Sequence, residues 1–109
     1  MGFAATVSHL FPPDVQGRGA AYYRGGRVTV RSFDDHTVEA EVRGTRPYEV
    51  TLTADGGRLS VSCTCPQFQK WRTACKHMWA AVLAADDEGF VPARRNGASL
   101  RGGARRERE

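Results

Sequence analysis

Ser62-Cys63-Thr64-Cys65-Pro66, followed after eight intervening residues by Cys75-Lys76-His77, is the stretch from which the rest of the chain can be read. All three cysteines and one of the three histidines of this 109-residue sequence fall between positions 63 and 77. Three thiols and one imidazole make a complete tetrahedral set for zinc, and zinc held by four protein ligands is structural. A catalytic zinc keeps one position open for water, whereas here His77 takes the fourth place. Cys63, Cys65, Cys75 and His77 are therefore the expected metal ligands, with Zn2+ as cofactor and no enzymatic activity. The cysteine count is odd, and the opening Met1-Gly2-Phe3 has no basic segment of the kind that starts a secretory signal. Both points favour metal ligation over disulfide bridging and lead us to expect a cytoplasmic protein. Thiol redox chemistry fits poorly, because no Cys-x-x-Cys pair is present.

The residues before the first ligand alternate. Leu59, Val61, Cys63 and Cys65 share one parity, and side chains two apart lie on the same face of a strand. The two thiols are thus presented on the side that holds the core. Further back, the apolar positions of Arg27–Arg31, Val38–Val42 and Tyr48–Leu52 alternate in the same way. Turn signals lie at Asp34-Asp35-His36, Gly44–Pro47 and Asp55-Gly56-Gly57. The pattern predicts an antiparallel meander of about four strands with one wet face. Arg27, Arg31, Arg43 and Arg58 share the polar face with Glu39, Glu41 and Glu49, so cross-strand charge pairs account for them.

Cys75 and His77 need a different geometry. Residues two apart on a helix point about 200° apart, so both reach one ion only if Cys75 lies at or before the helix start. The predicted helix runs from about Lys76 to Ala85. Trp79, Val82 and Leu83 supply its core-facing stripe. Asp86-Asp87-Glu88 at its far end opposes the helix dipole, at a cost of about 0.3–1 kcal/mol, with no compensation visible in the sequence. The fold class is therefore α+β: a small antiparallel sheet, a zinc-bound hairpin end and one C-terminal helix. Pro12-Pro13, Gly17 and Gly19 make residues 1–20 read as irregular rather than helical, and the boundary is drawn at a lead-in of 1–16 and a domain of 17–90. Tyr22-Tyr23 reads as a half-buried strand start. His9 and His36 read as solvent-facing loop residues without ligand spacing.

Charge separates the body from the end of the chain. The formal net charge is +4. Residues 91–109 carry six arginines against Glu107 and Glu109, which leaves the rest balanced at ten basic and ten acidic residues. The basicity thus belongs to a predicted flexible tail, which gives no reason to expect nucleic-acid binding by the body. No apolar run approaches the roughly 18 residues of a membrane helix, and no membrane or small-molecule partner is expected.

A Cys-x-Cys pair, a variable spacer and Cys-x-His, on a hairpin followed by a short helix, resembles the SWIM-type zinc finger. The matching residues are Cys63, Cys65, Cys75 and His77, with the run Cys75-Lys76-His77-Met78-Trp79-Ala80. The leading segment Arg18–Val28 looks like the region that precedes this finger in bacterial proteins, often ahead of a Swi/Snf-type helicase-like ATPase. The resemblance spans roughly residues 17–86. It implies zinc-dependent contacts with DNA or with a partner protein, an association with such an ATPase, and a nucleoid setting within the cytoplasm. The chain itself has no phosphate-binding Gly-x-x-x-x-Gly-Lys-Ser/Thr loop. Candidate contact residues are Lys70, Trp71, Arg72 and Lys76 in the finger, and Arg105 and Arg106 in the tail. For Trp71, packing over the metal loop is favoured over stacking on a base. Trp79 is assigned to the core. A purely protein-docking module is the alternative. Because so small a sheet buries little apolar area, removal of the metal is expected to unfold residues 62–85.

Overall fold

The computed structural model describes residues 2–55 and 58–90. Four strands form one antiparallel sheet in the order β1 (Val28–Phe33), β2 (Thr37–Arg43), β3 (Pro47–Asp55), β4 (Arg58–Cys63). This is the expected meander, and the alternation that predicts it also orients it. Val38, Ala40 and Val42 on β2, and Tyr48, Val50 and Leu52 on β3, are buried on one face. Register pairs Ala40 with Val50 and Val50 with Cys63, so the first thiol lies in line with the centre of the core.

Strand β1 breaks the simple alternation. A bulge between Val30 and Ser32 makes Arg31 the extra residue. The parity changes there, so Phe33 pairs with Val38 and reaches the apolar side, its ring 5.8 Å from Phe90. Arg31 itself forms a salt bridge with Glu41 and approaches Glu49 at 3.6 Å. Glu41 and Glu49 are directly opposed on β2 and β3. One guanidinium therefore offsets a like-charge cross-strand pair; the expected pairing is met by Arg31, whereas Arg27, Arg43, Arg58 and Glu39 make no ion pair among the described residues.

The C-terminal helix α4 (Lys76–Asp87) covers the buried face. Met78, Ala81, Val82 and Ala85 are wholly buried and Trp79 nearly so, which places Trp79 in the core as expected.

The lead-in corrects the sequence reading. Residues expected to be irregular form helix α1 (Phe3–Val7), a 3-10 turn (Ser8–Leu10) and helix α2 (Pro13–Arg24). Tyr22 and Tyr23 belong to α2 and not to a strand. Pro13 occupies the first turn of α2, where its missing N–H is harmless, and Asp14 follows it there. Gly19 argued against a helix in the sequence, but the packing requires it. A Cβ at this position would stand 2.7 Å from both the Lys76 carbonyl oxygen and Trp79 Cβ. Glycine lets α2 pass directly over α4, a tertiary reason that overrides propensity.

The acidic end of α4 also finds its purpose here. Asp86 Oδ1 accepts the Phe3 backbone N–H at 3.1 Å. The carboxylate caps the N-terminus of α1, where the helix dipole favours it, and this offsets its unfavourable position on α4. Phe3 and Phe90 then pack edge-to-face at 4.9 Å and close this end of the core.

Candidate metal centre

Three elements, β4 and two helices, bring the cluster together. Cys63 ends β4; Cys65 follows two residues later, still extended, with φ −71° and ψ 156°. Cys65 is also the N-cap of a short helix, α3 (Pro66–Trp71), which has no counterpart in the expected element list. Its signal is Pro66 at the first helical position directly after a cap. Cys65 Sγ accepts the Phe68 N–H at 3.5 Å, and the Gln69 side chain donates to the Cys63 carbonyl at 2.9 Å, so α3 folds back onto the ligand pair. The chain leaves α3 through Arg72 in the left-handed region, φ 56°, the one non-glycine with positive φ among the described residues. Cys75, extended at φ −122°, is the N-cap of α4, and His77 lies in the first helical turn. This is the geometry required for a Cys-x-His pair to converge.

One ligand atom from each of Cys63, Cys65, Cys75 and His77 lies within 4.8 Å of all the others, and all four residues are buried. Cys63 Sγ stands 3.8 Å from His77 Nδ1. Ligands on a tetrahedral zinc, with Zn–S about 2.3 Å and Zn–N about 2.0–2.1 Å, are separated by roughly 3.5–3.8 Å. The donor set, its closure and its spacing all fit Zn2+. No disulfide competes, since all three cysteines are free.

The electrostatics are those of a preformed thiolate site. Cys75 is pushed down to about 4, first by the hydrogen bond from the Cys63 thiol, then by His77 and the Met78 N–H. Cys63 is raised by the same bond to Cys75 and by burial. The first negative charge therefore rests on Cys75 at the start of α4, where free helical amides favour a thiolate. Further proton loss accompanies metal binding.

Around the centre, His77 lies between two tyrosines: Tyr48 at 4.7 Å between ring centroids and Tyr22 at 5.4 Å, the latter edge-on. Neither tyrosine was assigned to the site from sequence. Tyr48 carried only its strand parity, and Tyr22 enters through the unpredicted α2. Gly44 allows this packing, since a Cβ there would be 3.0 Å from Tyr48 Cε2 and 3.4 Å from His77 Nε2.

The finger's candidate contact residues lie on the outer side of α3 and at the start of α4. Trp71 is 64% exposed, which corrects the expectation that it packs over the metal loop. Phe68 takes the buried position instead, three residues earlier on α3. The Lys70 ammonium lies 5.0 Å from the Trp71 ring centroid, and the Arg72 guanidinium 5.2 Å from Phe68. Lys76 is half-buried with its ammonium 5.8 Å from the Tyr22 ring. His9 and His36 are exposed and distant from the cluster in sequence. Arg105, Arg106 and the rest of 91–109, and Gly56-Gly57 of the β3–β4 turn, lie outside the described residues. No helix among the described residues is long and apolar enough to cross a membrane.

No curated protein and no solved structure matches the chain significantly. The leading segment that resembled the region preceding the finger lies outside the family match, which begins at Tyr48. That match is to the family model of the SWIM zinc finger over residues 48–86, and it takes in all four members of the buried cluster.

Proposed function

We propose that Cys63, Cys65, Cys75 and His77 ligate one structural Zn2+, and that the finger so formed is a nucleic-acid-contacting accessory module without catalytic activity. With every coordination place taken by protein, the metal has no position left for a reacting water. Zinc supplies the cross-link between the end of β4 and the front of α4, and so fixes the loop that carries α3.

The observation that supports nucleic acid is the surface of that loop. Lys70, Trp71, Arg72 and Lys76 combine three cations with an exposed indole, and no carboxylate pairs with them. Among the described residues only Arg31 makes an ion pair. Cations that track phosphate beside an aromatic platform for bases are the working parts of strand binding. Arg105 and Arg106 add positive charge further along the chain. An association with a helicase-like ATPase, in the nucleoid of a cytoplasm, is the setting we propose for such a module.

The exposure of Trp71 equally favours a second reading, a protein-docking module in which Trp71 anchors a partner. Salt dependence separates the two. Nucleic-acid binding measured by fluorescence anisotropy should fall linearly in log K against log salt, and Lys70→Ala with Arg72→Ala should lower that slope. Salt-tolerant capture of a protein partner, lost in Trp71→Ala with no oligonucleotide binding at any salt, would establish docking instead.

A further inference from the structure

Beside the metal centre lies a cavity of about 170 Å³ lined by Tyr22, Thr45, Tyr48, Cys65, Pro66, Gln67, Lys76 and His77. Its polar groups divide into two sets. Thr45 and Tyr48 share a hydrogen bond between their hydroxyls at 3.0 Å, and the Gln67 amide nitrogen is committed to Thr73 and to the Ala74 carbonyl. The second set has no partner among the described residues: the Tyr22 hydroxyl, the Lys76 ammonium and His77 Nε2. His77 is only 5% exposed. Its Nδ1 faces Cys63, so its Nε2 is directed to the other side, 3.4 Å from where a Gly44 Cβ would stand, with the Tyr22 hydroxyl 3.5 Å from that same point. A histidine that ligates zinc through one ring nitrogen carries its proton on the other, and that N–H ordinarily has an acceptor. Here none is supplied, although leaving a buried donor unpaired is unfavourable.

We infer that this cavity seats an oxyanion, namely one phosphate of a nucleic-acid strand, which accepts hydrogen bonds from His77 Nε2–H, the Tyr22 hydroxyl and the Lys76 ammonium. No carboxylate lines the cavity, the Cys65 sulfur at its wall is committed to the metal cluster and to the Phe68 N–H, and every unpartnered group in it is able to donate. That complement calls for an acceptor-rich, negatively charged guest. The phosphate then completes the outer shell of the zinc ligand and couples strand binding to the metal centre. The nucleic-acid source of the phosphate rests on the function proposed above; the oxyanion chemistry of the cavity does not.

The test is NMR on the zinc-loaded full chain, following the His77 Nε2–H resonance. Inorganic phosphate is titrated first, then a short single-stranded oligothymidylate. The resonance is expected to move saturably and in the same direction with both. Tyr22→Phe, which keeps the ring against His77, should weaken phosphate binding about tenfold with zinc content unchanged. Lys76→Met should lower the oligonucleotide's salt slope by about 0.7. If the oligonucleotide shifts Lys70, Trp71 and Arg72 but leaves His77 unmoved, as phosphate also does, the cavity inference fails and the proposed function stands. If phosphate moves His77 and the oligonucleotide does not, the nucleic-acid source is overturned and the cavity takes a free ion. If neither probe binds, both readings fall.

Discussion

At its front, α4 meets the sheet through Cys75 and His77, gathered with Cys63 and Cys65 into a polar cluster. At its rear, the same helix buries Val82 and Ala85 against the sheet and gives Asp86 to the N-terminus of α1. The loop that carries the front's ligands buries little apolar surface of its own. Besides the four ligands, α3 contributes one buried side chain, Phe68, and leaves Trp71 in solvent. The rear has Val82 and Ala85 wholly buried and a Phe3–Phe90 contact, with no polar cluster to hold. A metal is needed where the chain turns too tightly to bury surface, and burial suffices where helix and sheet lie flat on each other.

The sharpest way to break this contrast is to remove the cross-link. Chelation or Cys63→Ser should abolish zinc binding, which supplies about 10–16 kcal/mol in finger peptides. Amide hydrogen exchange should then lose protection over residues 62–77 while Val38–Val42 and Leu52 keep theirs. This narrows the expectation that unfolding reaches residue 85, because Val82 and Ala85 are held by burial. The near-UV signal of buried Trp79 should survive in part. Uniform loss across the sheet would show that the rear has no independent stability.

Next in size is the helix crossing, where α2 passes over the first turn of α4 at Lys76 and Trp79. Gly19→Ala places a methyl group against the Lys76 carbonyl and Trp79. It should lower stability by about 1–3 kcal/mol, read as a lower urea midpoint with zinc content unchanged. If Gly19→Ala is neutral, α2 does not pass as close to α4 as described. Asp86→Ala removes the cap of α1 and should lower stability by about 0.5–2 kcal/mol, with exchange at Phe3 rising most. An unchanged Phe3 amide would mean that the carboxylate does not cap it.

The smallest effect belongs to neither region. Asp34 accepts the N–H groups of His36 and Thr37 at 2.8 Å in the β1–β2 turn. These bonds, that from His36 first, hold its carboxyl below the usual carboxylate range. A depressed value means that the stabilisation is present above the unfolded-state pKa and is lost as pH falls through the folded one. Asp34→Asn keeps the acceptor but not the charge. It should therefore lose slightly less stability than the wild type in strong acid, with little difference at neutral pH. Equal acid dependence in the two proteins would remove Asp34 from the account.

The sequence made the front of this comparison more legible than the rear. Ligand identity, the placement of Cys75 before the helix and the parity of Cys63 follow from covalent geometry, which is local. The four strands were legible because alternation with turn signals is also local. The lead-in was not, since Gly19 weakens a helix in isolation and makes sense only where Trp79 passes it. Asp86 looked unfavourable because its partner, the Phe3 amide, is 83 positions away. Trp71 was misplaced for the same kind of reason: α3 was not expected, and the helix gives Phe68 the inward position and turns the indole out.

The claim that carries the rest is that one zinc ion is held by three sulfurs and one imidazole nitrogen. X-ray absorption at the zinc edge on native protein tests it directly. The account predicts a first shell of three sulfurs at about 2.3 Å and one nitrogen at about 2.0–2.1 Å. Native protein without zinc, or a shell with oxygen in place of any of the sulfurs, would contradict it.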